Sequence, residues 1–178
     1  MNTLDCISSR RSIRKFKPTP INNSIIESIV ESASFSPSWK NSQITRYIAI
    51  SDSNVLNQIS ENATPDYNSK IIKSAPVLIA VTLIKGRSGF ERDGSFSTAK
   101  GAGWQMFDAG IATQTFCLAA NELGLGTVIM GIFDEDKVSK ILNIPDSHEL
   151  AALVALGEPD TSPEMPKRKT VSELIQFI

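Results

Sequence analysis

Apolar residues follow two patterns along the chain: short β-branched runs, and longer stretches in which they recur every three or four positions. The short runs predict β-strands and the longer stretches predict amphipathic helices. Strands are predicted at 47–50, 77–84, 127–130 and 150–156. The run VLIAVTLI at 77–84 is apolar at nearly every position, which is typical of a strand covered on both faces. Helices interleaved with about four strands predict an α+β domain of three layers.

Helix boundaries are indicated by capping residues. The motifs at predicted helix N-termini are Ser24-x-x-Glu27, Asp134 and Thr170-x-x-Glu173. The first opens a helix that ends before Pro37, and a short helix over residues 3–10 precedes it. Asp134 caps a helix that continues through Leu142. Gly124 follows a long helix, at the position where a left-handed backbone commonly ends helices.

The long stretch from Trp104 to Leu123 has apolar residues almost all round a helix, which indicates burial on more than one side. A central core helix and a helix in a dimer interface both account for this pattern. Before it lie residues 85–102, KGRSGFERDGSFSTAKGA, with four glycines and scattered charges. This composition predicts an excursion that could act as a lid or a mobile loop.

The composition of the 178 residues, with 41% hydrophobic and 21% charged side chains, fits one globular domain over residues 1–178. The formal net charge of -1 gives no overall field that would recruit nucleic acid or an anionic membrane. No stretch resembles a signal peptide or a membrane span, so we expect a cytoplasmic protein. Cys6 and Cys117 are expected to be buried thiols, and the single histidine, His148, gives little support for a metal site.

A basic run after the first predicted helix is a candidate for binding an anion. Its polar residues are Arg10, Arg11, Ser12 and Arg14. In an extended segment Arg10, Ser12 and Arg14 project to one side, because side chains alternate between faces. Two guanidinium groups and a hydroxyl suit a phosphate monoester. A solvated basic run that complements the C-terminal end of a helix accounts for the same residues.

Other segments offer groups for a flat polar ligand. Residues 36–43, SPSWKNSQ, form a polar loop that can contact the edge of a heterocycle, although an ordinary helix-to-strand turn has the same composition. At Gly131, after a predicted strand, the backbone N–H can approach a ligand closely. Residues 166–169 are basic and suit either an anion or a solvated tail. Gly124-Leu-Gly-Thr lacks a third glycine and follows a helix, so we reject a Rossmann dinucleotide site there.

The order of these segments along the chain resembles the FMN-dependent nitroreductase family. The matching motifs are Arg-Arg-Ser-Ile-Arg at 10–14, Ser-Pro-Ser-x-x-Asn-Ser-Gln at 36–43, Asp-Ala-Gly-Ile-Ala from Asp108, Gly-Leu-Gly-Thr from Gly124, Gly-Ile-Phe-Asp from Gly131 and Ala-Leu-Gly-Glu-Pro at 155–159. The resemblance covers nearly the whole chain. It implies a three-layer α-β-α fold with a mostly antiparallel central sheet, and a homodimer with two FMN molecules in its interface.

The resemblance also implies a role for each cofactor-binding residue. The ribityl phosphate is held by the run that contains Arg10, Arg11, Ser12 and Arg14, together with Arg168. The isoalloxazine ring is contacted from the partner chain by a loop containing Pro37, Ser38, Trp39 and Asn41. The segment of Met130 and Gly131 gives a backbone donor to flavin N5. Trp39 stands where the family usually has a small residue, so the pocket is either narrower or able to stack aromatic acceptors.

The activity implied by the resemblance is transfer of two electrons from NAD(P)H through FMN to a nitroaromatic, quinone or similar acceptor. The flavin carries this chemistry, so we assign no catalytic side chain and no metal. Alternatives on the same fold are a flavin-dependent dehydrogenase or dehalogenase, with charged groups from the lid stretch 91–93, and a flavin-binding sensor or storage protein. A domain that binds only phosphate is the remaining alternative.

Overall fold

Helices and strands alternate along the chain in the computed structural model, which describes residues 2–178. The helices are α1 (Thr3–Ser9), α2 (Asn23–Ser34), α3 (Ser53–Asn62), α4 (Asp66–Ser74), α5 (Gly103–Glu122), α6 (Glu135–Leu142) and α7 (Val171–Leu174). The strands are β1 (Thr45–Ile50), β2 (Val77–Ile84), β3 (Gly126–Met130) and β4 (His148–Gly157). A 3-10 turn, Trp39–Asn41, lies between α2 and β1.

The four strands form one sheet in the order β1-β2-β4-β3, and every neighbouring pair is antiparallel. β2 is an interior strand, and its residues from Val77 to Leu83 are all buried, as the apolar run predicted. The registers place Ile50 opposite Leu78 and Val77 opposite Leu156. β1 and β3 are therefore the two edges of the sheet.

Helices cover both faces of the sheet. On one face, α2 and α5 bury Ile29 and Phe116 against β2 and β4. On the other face, α3, α4 and α6 bury a second cluster that includes Ile59, Ile72 and Val138. These two apolar clusters supply most of the driving force for folding, because burial of apolar surface is its main favourable term. The prediction of an α+β fold with three layers is confirmed.

Most predicted caps are present, and one is wrong. Asp134 accepts a hydrogen bond from the Lys137 N–H at 3.1 Å, and Gly124 has the expected positive φ of 77°. Thr170 and Glu173 form the predicted capping box, although the helix that follows has only four residues. The Ser24 capping box is not formed, because Asn22 is the N-cap and Ser24 already lies inside α2. Glu27 is then too far along the helix to reach the cap.

Residues 10–16 contact the start of β3 and then pair with residues 158–160, which follow β4. Ser12 pairs in parallel with Thr127, and the Ile13 N–H donates to the Thr127 carbonyl at 2.9 Å. This contact requires a glycine, since a Cβ on Gly126 would lie 2.5 Å from Cγ1 of Ile13. Ile13 and Phe16 are both buried, so the basic run is fixed to the sheet by its apolar neighbours.

The long helix α5 is buried on one side and exposed on the other, and both cysteines are buried. α5 buries Phe116 and Ala120, while Met106 and Phe107 on the same helix are 44% and 58% exposed. Cys6 and Cys117 are buried free thiols, as predicted. None of the helices within residues 2–178 has the length and apolar character needed to cross a membrane.

Candidate functional site

The basic run places two arginines without internal counterions on the β3 edge. Arg10 is half-buried and Arg14 is exposed, and neither forms an ion pair with a carboxylate of residues 2–178. Arg14 donates to the Ser12 carbonyl at 3.2 Å. Arg11 instead donates to the carbonyls of Ser8 and Arg10 at 2.7 and 2.9 Å, and so caps the end of α1. Arg10 and Arg14 thus retain donors for an external anion.

Met130 and Gly131 lie at the end of β3, the edge strand against whose start the basic run packs. Met130 is buried and ends β3, and Gly131 after it is exposed. A Cβ added to Gly131 would meet nothing within 4 Å, so the space over its backbone is open. Gly131 lies about 13 Å along the strand from Thr127, the residue that pairs with Ser12. The fold therefore brings these two sequence-predicted groups together.

The loop of residues 36–43 has an unusual backbone. Lys40, Asn41 and Gln43 have φ values of 46°, 54° and 46°, although none of them is glycine. Each such left-handed residue costs on the order of 1 kcal/mol. Internal hydrogen bonds offset part of this cost: the Asn41 N–H donates to the Ser38 carbonyl and the Gln43 N–H to Ser38 Oγ, both at 3.0 Å.

Asp108 on α5 accepts further hydrogen bonds from this loop, and sequence reasoning gave it no role. Its carboxylate oxygens lie 3.0 and 3.2 Å from the Trp39 backbone nitrogen, and one of them lies 3.3 Å from Ser42 Oγ. Asp108 is only 3% exposed. A carboxylate in the middle of a mostly apolar helix is the signal by which this residue could have been found.

The loop contacts both the start of α5 and the glycine-containing excursion at 85–102, and Trp104 of α5 donates from Nε1 to Thr98 Oγ1 of the excursion at 2.8 Å. The ring centroids of Trp39 and Trp104 are 4.7 Å apart, and Trp104 also contacts Phe107. Lys40 Nζ lies 3.2 Å from Glu91, which also accepts a hydrogen bond from Ser97 Oγ at 2.5 Å. These two hydrogen bonds lower the pKa of the Glu91 carboxyl, so it is ionised at neutral pH. The excursion is thus packed against the loop.

A cavity of about 390 Å³ opens between α2, β1 and α5. Pro37, Ser38 and Asp108 line it, together with Tyr47 of β1. The Tyr47 hydroxyl is buried and has no hydrogen-bond partner among residues 2–178. Burial raises the pKa of Tyr47 to about 12, so the phenol stays protonated and can donate a hydrogen bond.

The loop and the basic run lie at opposite corners of the sheet. The loop leads into β1 at one edge, and the basic run packs on β3 at the other, about 14 Å away across the strands. Across the sheet, Thr45 of β1 lies level with Glu149 of β4, whereas Thr127 of β3 lies level with Leu156 of β4. The separation of these two β4 positions adds roughly 23 Å along the strands. Arg168 lies in the exposed stretch 164–178. One chain therefore does not bring all the predicted site residues together.

Comparisons with known proteins agree with this architecture. The sequence matches the model of the nitroreductase family over residues 7–66 and 62–158. A protein of Methanothermobacter thermautotrophicus named as an NADH dehydrogenase/NAD(P)H nitroreductase is 30% identical over 167 residues, which cover 92% of this chain and 80% of that protein.

Solved structures show the same three-layer arrangement. A nitroreductase family protein from Clostridium novyi is 29% identical, with a TM-score of 0.78 over 93% of this chain and 89% of that chain. A protein from Desulfovibrio desulfuricans, named as a nitroreductase and crystallised in complex with FMN, is 26% identical, with a TM-score of 0.80 over 100% and 98% of the two chains. The fold expected from the sequence motifs is confirmed, and the chain belongs to the nitroreductase family.

Proposed function

We propose that residues 1–178 form one FMN-binding domain of an oxidoreductase that uses NAD(P)H to reduce a nitroaromatic, quinone or similar acceptor. The observation that carries this proposal is that Arg10 and Arg14, which have no carboxylate partner within residues 2–178, lie beside the edge strand that leads into the open Gly131, in a chain of the nitroreductase family. When bound, FMN supplies the two-electron chemistry. The protein binds and orients the cofactor and its substrates.

The residues of the β3 edge fit the cofactor from phosphate to ring. Arg10 and Arg14 offer charge-assisted hydrogen bonds to the ribityl phosphate, and Ser12 lies between them. Arg11 donates to the Ser8 carbonyl of α1 and to the Arg10 carbonyl just after it, so its part in phosphate binding stays a prediction. Met130 and Gly131, farther along the same edge, are placed to contact the ring, because nothing covers the Gly131 backbone.

A second chain completes the site in this proposal. Pro37, Ser38, Trp39 and Asn41 lie at the opposite corner of the sheet from the basic run, so a flavin held by Arg10 would meet this loop from a partner. The exposed side of α5 supports a homodimer, because Met106 and Phe107 border an open groove of about 570 Å³ that also includes Gly110. Contiguous exposed apolar side chains mark interaction surfaces. Arg168 lies in the exposed C-terminal stretch, so that stretch would have to lie over the site for Arg168 to contact the phosphate.

The loop composition bears on the acceptor and on the rival functions. Trp39 packs against Trp104, so an aromatic pair stands beside the proposed ring contacts and favours flat acceptors. A flavin-dependent dehydrogenase or dehalogenase would need a proton donor from the excursion. Glu91 does not suit that role, because its pKa is lowered by Ser97 and Lys40.

The absorption spectrum of the purified protein tests the proposed function. We expect a yellow protein, or one that gains a flavin band when FMN is added, and bleaching of that band by NADH or NADPH. Turnover with nitroaromatic and quinone acceptors should follow. A protein that binds FMN without being bleached would be the sensor or storage protein instead. A colourless preparation that never gains a flavin band would contradict the proposal. It would also contradict the proposed binding of the FMN phosphate by the basic run.

The dimer is tested by placing a charge on the exposed side of α5. In Phe107→Glu, the carboxylate would have to leave water at the interface, and we expect the dimer dissociation constant to rise by at least about tenfold. Sedimentation across a range of protein concentrations measures this. Tyr67→Glu is the matched control, since Tyr67 is 63% exposed on α4, in the opposite helical layer. Equal dissociation constants for Phe107→Glu and the wild type would place the interface elsewhere.

A further inference from the structure

We propose that Asp108 is a positioning residue that fixes the 36–43 loop in the shape needed to contact the flavin ring. This inference rests on the proposed function, because that function assigns Pro37, Ser38, Trp39 and Asn41 to the ring. Asp108 itself is placed behind the loop, on α5. It acts through the loop backbone.

The first support is the set of partners of the Asp108 carboxylate. The side chain is 3% exposed, and no cationic group forms an ion pair with it within residues 2–178. A buried carboxylate is stable only when hydrogen bonds compensate for its loss of hydration. Both of its hydrogen-bond donors, the Trp39 N–H and Ser42 Oγ, belong to the loop. The carboxylate and the loop therefore depend on each other.

The second support is the geometry of the bonded residues. Trp39 and Ser42 stand immediately before and after the two left-handed residues Lys40 and Asn41. Asp108 thus spans the turn from its start to its end, while the Ser42 N–H donates to the Trp39 carbonyl at 2.8 Å within it. Strained backbone persists only where its surroundings hold it. Without the carboxylate, we expect the loop to relax away from this conformation.

The third support is that the rest of the loop has weaker attachments to the core. Ser36 bonds Thr115 of α5 at 2.8 Å before the turn begins. Within residues 2–178, the loop is also linked to other segments by an exposed hydrogen bond from Arg46 of β1 to the Gln43 carbonyl at 2.7 Å, by the exposed pair of Lys40 with Glu91 and by the ring contact of Trp39 with Trp104. An exposed ion pair contributes little. Asp108 is thus the buried polar attachment of the turn.

Amide hydrogen exchange in the FMN-free protein tests the positioning role without using the flavin. In Asp108→Ala we expect the amides of Trp39, Asn41, Ser42 and Gln43 to exchange at least about tenfold faster, while β2 amides keep their protection. Asp108→Asn keeps one acceptor oxygen and should give an intermediate rate. If Asp108→Ala does not fold, Ser42→Ala removes one of the contacts from the loop side and should accelerate the same amides.

FMN titration is the second readout. We expect Asp108→Ala to weaken FMN binding by about tenfold, with Asp108→Asn between it and the wild type. Asp52→Ala is the matched control, because the Asp52 carboxylate also accepts hydrogen bonds from two donors, here the backbone N–H groups of Asn54 and Val55 at 2.9 and 3.0 Å, but caps α3 in the other helical layer. It should change neither FMN affinity nor exchange in the loop.

The outcomes separate this inference from the proposed function. A wild-type protein that binds no FMN would end the proposed function, and the exchange rates would still show whether Asp108 holds the loop. Wild-type exchange in the loop of Asp108→Ala would overturn the inference. Faster exchange with unchanged FMN affinity would also overturn it, because the order that Asp108 gives the loop would then have no effect on flavin binding.

Discussion

Replacing Arg10 by alanine is expected to weaken FMN binding by about ten- to a hundred-fold, because the phosphate loses a charge-assisted hydrogen bond. Arg14→Ala should have a similar effect. Neither arginine pairs with a carboxylate of residues 2–178, so we expect little change in the free energy of unfolding. Titration of FMN followed by flavin fluorescence gives the dissociation constant.

Riboflavin, which lacks the phosphate, is the decisive control for this experiment. Wild type and both arginine variants should bind riboflavin with the same affinity. Lys70→Ala, which removes an exposed positive charge on α4, should leave FMN affinity unchanged. If riboflavin affinity fell in parallel with FMN affinity, the arginines would be acting on the fold. Unchanged FMN affinity in Arg10→Ala would show that Arg10 takes no part in the site.

Replacing Gly126 by alanine is expected to lower the free energy of unfolding by about 1–3 kcal/mol, the usual effect of overpacking a close contact. The new Cβ would lie 2.5 Å from Cγ1 and 2.8 Å from Cβ of Ile13, so the segment that pairs with Thr127 has to move. Urea denaturation measures the change. FMN affinity should fall as well, because Ile13 lies between Ser12 and Arg14.

Gly103→Ala is the matched control for that substitution. Gly103 begins α5, and an added Cβ would meet nothing within 4 Å, so stability should be unchanged or slightly higher. If Gly126→Ala were as stable as the wild type and bound FMN equally well, the basic run would not depend on its close packing against β3. The anchoring described for residues 10–16 would then be wrong.

The sequence predicted those parts of the fold that depend on local pattern. The apolar run of β2 indicated a strand with both faces covered, since only an interior strand between two helical layers buries every residue. Asp134 and Thr170 predicted helix starts because their capping groups act within one turn. The Ser24 motif was wrong because α2 already begins at Asn23, and the residue at which a helix starts depends on the conformation of the chain before it.

The strand order and the contacts between residues far apart in the chain could not be predicted from the sequence. The order β1-β2-β4-β3 is not encoded in any one segment, so the separation of the 36–43 loop from the basic run had to come from the structure. The same holds for Asp108, whose side-chain partners within residues 2–178 lie more than sixty positions away in the chain. The residues assigned to the phosphate and the ring came from the family motifs, and their contacts with FMN stay predictions.

The burial of Cys6 and Cys117 makes this chain a convenient background for chemical labelling. Burial raises the pKa of the Cys117 thiol, and Cys6 Sγ donates to the Leu118 carbonyl at 3.3 Å, so both are shielded from alkylating reagents in the folded state. A cysteine introduced on the exposed side of α4, for example at Tyr67, would then be the one fast-reacting thiol. Attached spin labels or dyes would test the proposed homodimer by the distance between two labels, without first removing the native cysteines.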